Sequence, residues 1–387
     1  MRRHGDRSER LGGGGPRVSR GEYPILRDGD RPRIALIRLG AMGDCIYTFP
    51  LVSALKARFP KGEIAWIVGA RTRDIPRLHP GVDEVIVVDT ESWQQELRSG
   101  QVARMAEAFG AVRRSLARKE FDIALDPQGL IKSGAIAWLT QAPVRIGFAR
   151  VACREGMNVL FTTRRVEPPD GHIVRKNLSL LAPLGVKVQS PDFGIRVTGD
   201  AEARILAILQ EAGIGQGDQV VGIPPGVGHH RKGWDPDRYA QVGDRLQDRE
   251  GARVILTAGP GEEALARRVA SQMRIGHVIM PPLRAEELAA LLSRCDLFIG
   301  GDTGPLHLAA ALGCRTVAIY GPSAPIRVAR AWRGTRCIRN SAPADGSPDC
   351  ISTAAVPTFP VWARSPLTRW RPRRRQCWSR DRGSDRG

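Results

Sequence analysis

At 387 residues the chain exceeds the usual size of one domain, so two domains of about 150 residues each are expected. No apolar run reaches the ~20 residues of a membrane span, and the N-terminus lacks the apolar segment of a secretory leader. The formal charge is +19, but residues 1–33 hold nine Arg against five acids and residues 361–387 nine Arg against two Asp, so 4 + 7 = 11 of those charges lie in two tails.

The remaining charge is spread over a long body. It suits an anionic substrate or membrane surface, or serves solubility alone. Aromatic residues are only 5%, and neither zinc-finger spacing nor an RNP sequence occurs, so no nucleic-acid partner is expected. The seven cysteines are odd in number, scattered and without a CxxC pair. That argues against a disulfide framework and a zinc site, and fits a reducing cytoplasm.

In chain order, residues 1–32 are rich in Arg and Gly, show no apolar periodicity, and read as a disordered basic arm. RIALIRL (33–39) then reads as a buried strand. It runs into GAMGD, where Gly40 and Gly43 permit a tight turn or a close approach to a ligand, and a helical pattern follows to Phe59. Asp44 thus falls at a helix start beyond the carboxyl end of a strand, where open α/β sheets bind ligands. Two readings stand for it: a helix N-cap, or a functional carboxylate.

Strands EIAWIVG (63–69) and EVIVVD (84–89) follow, then one helical stretch over 94–119, the strand FDIALDPQG (121–129) and a helix from Ser133. VKVQSPDFGIRVTGD (186–200) breaks the pattern and reads as an interdomain crossing. The alternation resumes with a helix at 201–212, QVVGIPPG (219–226), a helix at 237–248, ARVILTAG (252–259) and a helix at 262–273. It ends with a helix at 285–294, CDLFIGG (295–301), a helix at 305–312 and RTVAIYG (315–321). Strands alternating with helices imply parallel sheets covered on both faces. The fold expected is α/β of the GT-B type: two Rossmann-like, doubly wound domains, 33–188 and 189–335, facing a cleft, with a basic tail over 336–387.

Three strand-end loops of the second half carry chemistry. GGDTGPLHLAAALG (300–313) runs from a strand through Asp302, Thr303 and Gly304 into a short helix with Pro305 in its first turn. Free N–H groups and the helix dipole make such a start a phosphate site, unless Asp302 merely caps it. His307, one turn in, reads as a packed or hydrogen-bonded histidine. PPGVGHHRKGW (224–234) opens with Gly226 and Gly228 and offers Arg231 and Lys232, as phosphate partners or as a solvated basic turn. In TAGPGEEALARR (257–268), Glu262 either accepts from ribose hydroxyls or favours the helix start electrostatically. The DPD at 235–237 has the setting of a helix cap with Pro at the first position, so no metal is assigned to it. The chain lacks GxGxxG after its first strand, GxxxxGK[ST] and GxSxG, which disfavours a dinucleotide oxidoreductase, a P-loop ATPase and a serine hydrolase.

RLGAMGDCIYTFPLVSALK, GVDEVIVVD, LDPQGLIKSG, RKGW, AGPGEE and GGDTGPLHLAAALG recur in an order that resembles glycosyltransferase family 9, the ADP-heptose:lipopolysaccharide heptosyltransferases. LDPQGLIKSG and CREGMNVLF look most like type I. The resemblance implies a cytoplasmic, inverting enzyme, peripheral at the inner membrane, that uses neither cofactor nor metal. Its donor would be ADP-L-glycero-D-manno-heptose and its acceptor the Kdo of a Kdo–lipid A. It places Asp44 on the general base, Lys232 on the donor-phosphate lysine, Glu262 on the ribose-contacting acid, and Asp302, Thr303 and Gly304 on the donor loop. Leu283 falls near the adenine, and Gly43, Gly226 and His307 join the donor set. Arg71, Arg73, Lys132 and Arg154 lie in stretches suited to an anionic acceptor. After Trp332 the resemblance is expected to stop, with the tail reading as aberrant, by a frame-shift or otherwise, or as disordered. Two alternatives stay open: a related GT-B transferase with another donor or acceptor, and a catalytically impaired remnant.

Overall fold

The computed structural model describes residues 29–226 and 234–320, with the strands at 17–18 and 335–339 beyond them. The N-terminal half contains β1 (Arg17–Val18), β2 (Arg33–Ile37), α1 (Met42–Ile46), α2 (Phe49–Arg58), β3 (Glu63–Val68) and β4 (Glu84–Val87). It continues with α3 (Thr90–Arg98), α4 (Val102–Ala117), β5 (Ile123–Leu125), α5 (Ile131–Leu139), β6 (Val144–Phe148), β7 (Arg164–Glu167) and α6 (Ile173–Ser179). Its sheet has the order β1-β7-β6-β5-β2-β3-β4, parallel except for the antiparallel β1. Helices cover both faces, so Ile34, Ala35, Leu36 and Ile37 are all buried. That burial is why the strand is a continuous apolar run and does not alternate.

The second half contains α7 (Gly199–Glu211), β8 (Val220–Ile223), α8 (Pro236–Glu250), β9 (Arg253–Leu256), α9 (Glu263–Gln272) and β10 (Val278–Ile279). Then come α10 (Ala285–Arg294), β11 (Leu297–Gly301), α11 (Gly304–Ala311), β12 (Arg315–Tyr320) and β13 (Thr335–Arg339). Its strands, all parallel, run β10-β9-β8-β11-β12-β13. Both sheets reverse winding direction beside their first parallel strand, between β2 and β5 and between β8 and β11. A crevice opens at the carboxyl ends of the strands at such a point, and ligands occupy it.

The expected alternation is present, with four corrections. The helix expected over 94–119 is two helices, because Gly100 takes a left-handed φ of +74° between α3 and α4. β6, β7, α6 and β10 were not anticipated from the pattern. The arm expected to be disordered contributes β1, whose Arg17 and Val18 pair with Glu167 and Val166. Thr335–Arg339, assigned mostly to the tail, extends the second sheet by pairing with Thr316–Tyr320.

The 186–200 crossing is anchored. Arg196 N–H donates to Leu78 O at 2.9 Å, and Phe193 and Ile195 are buried in one apolar cluster that runs from Ile34 to Tyr320 through both halves. No helix among the described residues is long and apolar enough to cross a membrane.

Candidate active site at the facing strand ends

At the first switch point the chain leaves β2 through Arg38. This guanidinium is only 1% exposed. Its Nη1 donates to Pro127 O, on the loop after β5, at 2.6 Å. Its Nη2 lies 2.8 Å from Asp44 Oδ1, an ion pair off the ideal hydrogen-bond line, since that nitrogen has no geometrically sound acceptor. A second cation reaches the same carboxylate from outside: Arg154 Nη2 stands 3.2 Å from Asp44 Oδ2, and its side chain is half exposed.

Asp44 is therefore not the helix cap. Ala41 occupies the N-cap position of α1 and Asp44 lies inside the first turn, with its carboxylate directed at two arginines. The loop after β5 is braced from beneath. Gln128 Oε1 accepts from Leu39 N–H at 2.8 Å. The buried Asp126 accepts from Gln128 N–H, Gly129 N–H, the Ser133 hydroxyl and Asn158 Nδ2. Burial pushes the Asp126 carboxyl above the usual carboxylate range, against the pull of these donors.

At the second switch point α11 begins at Gly304 with Thr303 in the N-cap position and Pro305 in the first turn. Thr303 makes no side-chain cap bond, and its buried Oγ1 has no hydrogen-bond partner among the described residues. Asp302 is not the cap either. Its Oδ1 stands 3.1 Å from His307 Nε2, and His307 Nδ1 lies 2.8 Å from the Tyr47 hydroxyl of the first domain. The two helix starts meet directly. A Cβ on Gly43 would fall 2.6 Å from the His307 ring, and one on Gly304 would fall 2.6 Å from Met42. Glycine at these two positions is what lets the helices approach so closely.

Gly226, in the loop after β8, faces Glu262 so closely that a Cβ there would collide with its carboxylate. Glu262 stands at the head of α9 without capping it, and its Oε2 accepts from Gly259 N–H at 3.0 Å. Leu283 is half-buried against the core in the loop before α10. Asp235 is the N-cap of α8, accepting from Asp237 N–H, with Pro236 behind it. Lys232 and Arg231 lie outside the described residues.

Of the expected acceptor residues, only Arg154 is brought to Asp44. Arg71 is exposed and pairs with Glu91. Arg73 is exposed and 3.9 Å from Asp74. Lys132 is half-buried in the first turn of α5. Sequence reasoning passed over Arg38, Tyr47 and Asp126. The signal for Arg38 was a charge at the end of an otherwise apolar strand run; Tyr47 carried none. Among the described residues, no group of three or more His, Cys, Asp or Glu could hold a metal ion.

Two doubly wound domains, with Asp44 on one set beside the 302–304 loop of the other, have the GT-B architecture of glycosyltransferases. The model of "Glycosyltransferase family 9 (heptosyltransferase)" matches residues 109–349, and the chain belongs to that family. The chain is 29% identical over 302 residues to lipopolysaccharide heptosyltransferase 1 of Salmonella typhimurium, covering 76% of this chain and 89% of that one. Its fold superposes on E. coli heptosyltransferase WaaC with ADP at a TM-score of 0.67 and 25% identity, covering 79% and 93% of the two chains. The family 9 glycosyl transferase of Veillonella parvula shares the fold at a TM-score of 0.70 and 23% identity, over 81% and 87%. The family match extends to residue 349, past Trp332, so the expected end of the resemblance there is corrected, in step with β13.

Proposed function

We propose that the chain transfers heptose from ADP-heptose to the Kdo of a lipopolysaccharide inner core, with inversion at the anomeric carbon and Asp44 as general base. The observation that carries this reading is the juxtaposition of two helix starts. Asp44 sits on α1, and against that helix abuts the N-terminus of α11, where Thr303 Oγ1 is buried without a partner among the described residues. The relative named lipopolysaccharide heptosyltransferase 1 and the neighbour solved with ADP support the choice of sugar and nucleotide.

In this reading the acceptor hydroxyl attacks the anomeric carbon, the bond to the ADP oxygen breaks, and the hydroxyl proton passes to Asp44. Arg38 and Arg154 hold the carboxylate by charge, leaving lone pairs to meet the hydroxyl. The departing diphosphate is taken by the free N–H groups and dipole of α11, the Thr303 hydroxyl and Lys232. Glu262, opposed to Gly226, receives the ribose hydroxyls, and Leu283 borders the adenine. Arg154, the exposed partner of Asp44, pairs with an acidic group of the acceptor as it arrives. Arg71, Arg73 and Lys132 extend the acceptor field.

ADP release from ADP-heptose, measured with a Kdo–lipid A acceptor, tests the assignment. Wild-type chain turns over and Asp44→Asn loses about 10²–10⁴-fold in kcat while still binding ADP. Full turnover by Asp44→Asn sinks the base assignment. Release driven equally well by UDP-sugars sinks the donor.

A further inference from the structure

Five of the eight large hydrophobic side chains exposed among the described residues are Ile131, Trp138, Val151, Met157 and Leu160. They belong to two adjacent pieces of the first domain, α5 and the 3-10 turns at Arg150–Ala152 and Gly156–Phe161. These pieces pack tightly: a Cβ on Gly134 of α5 would fall 2.8 Å from the Phe161 ring, and one on Gly156 would fall 3.2 Å from Arg150 Cγ. In a 3-10 turn, residues three apart eclipse, so Met157 and Leu160 project together. Val151 is 91% exposed, Leu160 67% and Met157 52%. Such a concentration on one short segment marks an interaction surface.

The charges around the segment identify what it meets. Arg150, Arg154 and Arg165 are exposed on and beside it. Of the exposed acids nearby, Glu155 is engaged, accepting from Ile131 N–H at 2.6 Å, and Glu167 lies two residues beyond Arg165, so the arginines outnumber them. Apolar side chains set among arginines match a surface that is anionic at its face and hydrocarbon beneath it. Arg154 also reaches Asp44, so whatever docks on this segment lies next to the carboxylate. We infer that the 150–161 segment, led by Val151, Met157 and Leu160, docks the enzyme on an anionic lipid bilayer and so presents a lipid-borne acceptor to Asp44. This rests on the proposed function for the identity of the acceptor, but not for the docking.

The test is co-sedimentation of the full chain with vesicles of phosphatidylethanolamine and phosphatidylglycerol, beside pure phosphatidylcholine. Wild-type chain is expected to partition to the anionic vesicles. Val151→Ser/Met157→Ser/Leu160→Ser should reduce that partition by about tenfold or more, with melting temperature and ADP affinity unchanged. Equal partition of wild type and triple variant overturns the inference. So does wild-type self-association in sedimentation velocity that the same triple variant abolishes, since the patch would then be covered by a second copy. If the variant loses vesicle binding but the wild type fails to bind ADP or transfer heptose, the docking surface stands and the proposed reaction falls.

Discussion

Arg38 shows how a buried charge organises the site. A guanidinium taken out of water needs a fixed counter-charge, and removing the partner of such a pair costs about 3–5 kcal/mol. The Asp44 carboxylate is that partner, so its orientation is set before any substrate arrives. Asp44→Ala is accordingly expected to lose both transfer and stability, about 3 kcal/mol in urea unfolding. Asp44→Asn keeps an oxygen but not the charge, so it should lose the reaction together with part of that stability. Wild-type stability in both variants would show that Arg38 does not depend on this charge. Gly43 makes the complementary steric point. Gly43→Ala drives a methyl into the His307 ring, and at this packed contact about 1–3 kcal/mol of destabilisation is expected by thermal unfolding, together with a lower kcat.

Between elements, the contact of α1 with α11 joins the loop that carries Asp44 to the 302–304 loop through Tyr47, His307 and Asp302. Tyr47→Phe removes one hydroxyl and leaves His307 Nδ1 without that partner, a loss of about 1–3 kcal/mol. If this relay holds the two loops in register, kcat falls more than ADP affinity does. A parallel fall in both would show that Tyr47 acts on the donor loop alone.

The turn between β3 and β4 is pH-sensitive for a local reason. Gly81 N–H donates to His79 Nδ1, so the ring proton sits on Nε2, facing the Ser53 hydroxyl. Burial lowers the His79 pKa to about 4. The folded state therefore keeps the ring neutral while the unfolded chain takes up a proton from pH 6.5 downward. Stability is complete above pH 6.5 and falls by about 3 kcal/mol on the way to pH 4. His79→Asn, whose Oδ1 replaces Nδ1 as acceptor, should be the less stable protein at pH 7 and close on the wild type as the pH falls; a constant gap would refute this.

For the whole molecule, β13 carries the second sheet beyond β12. Five residues of β12, Thr316–Tyr320, find their outer partner in Thr335–Arg339. A chain ending at residue 334 leaves that row of donors and acceptors unpaired, and should melt several degrees below a chain ending at 349. Equal melting temperatures would make β13 dispensable. The sequence by itself determined the two-domain alternation, because strands buried on both faces must be apolar throughout and helices covering them must be amphipathic. It also marked Asp44, Glu262 and the 302–304 loop, since glycines at strand ends leave a distinct local pattern. Only the tertiary structure decided that Arg38 and Arg154 share one carboxylate, that Asp302 serves His307 and does not cap α11, and that Tyr47 closes the relay from the other domain. Those partners are brought together by the matching reversal of winding in two sheets, and distances across a chain of this length leave no trace in local periodicity.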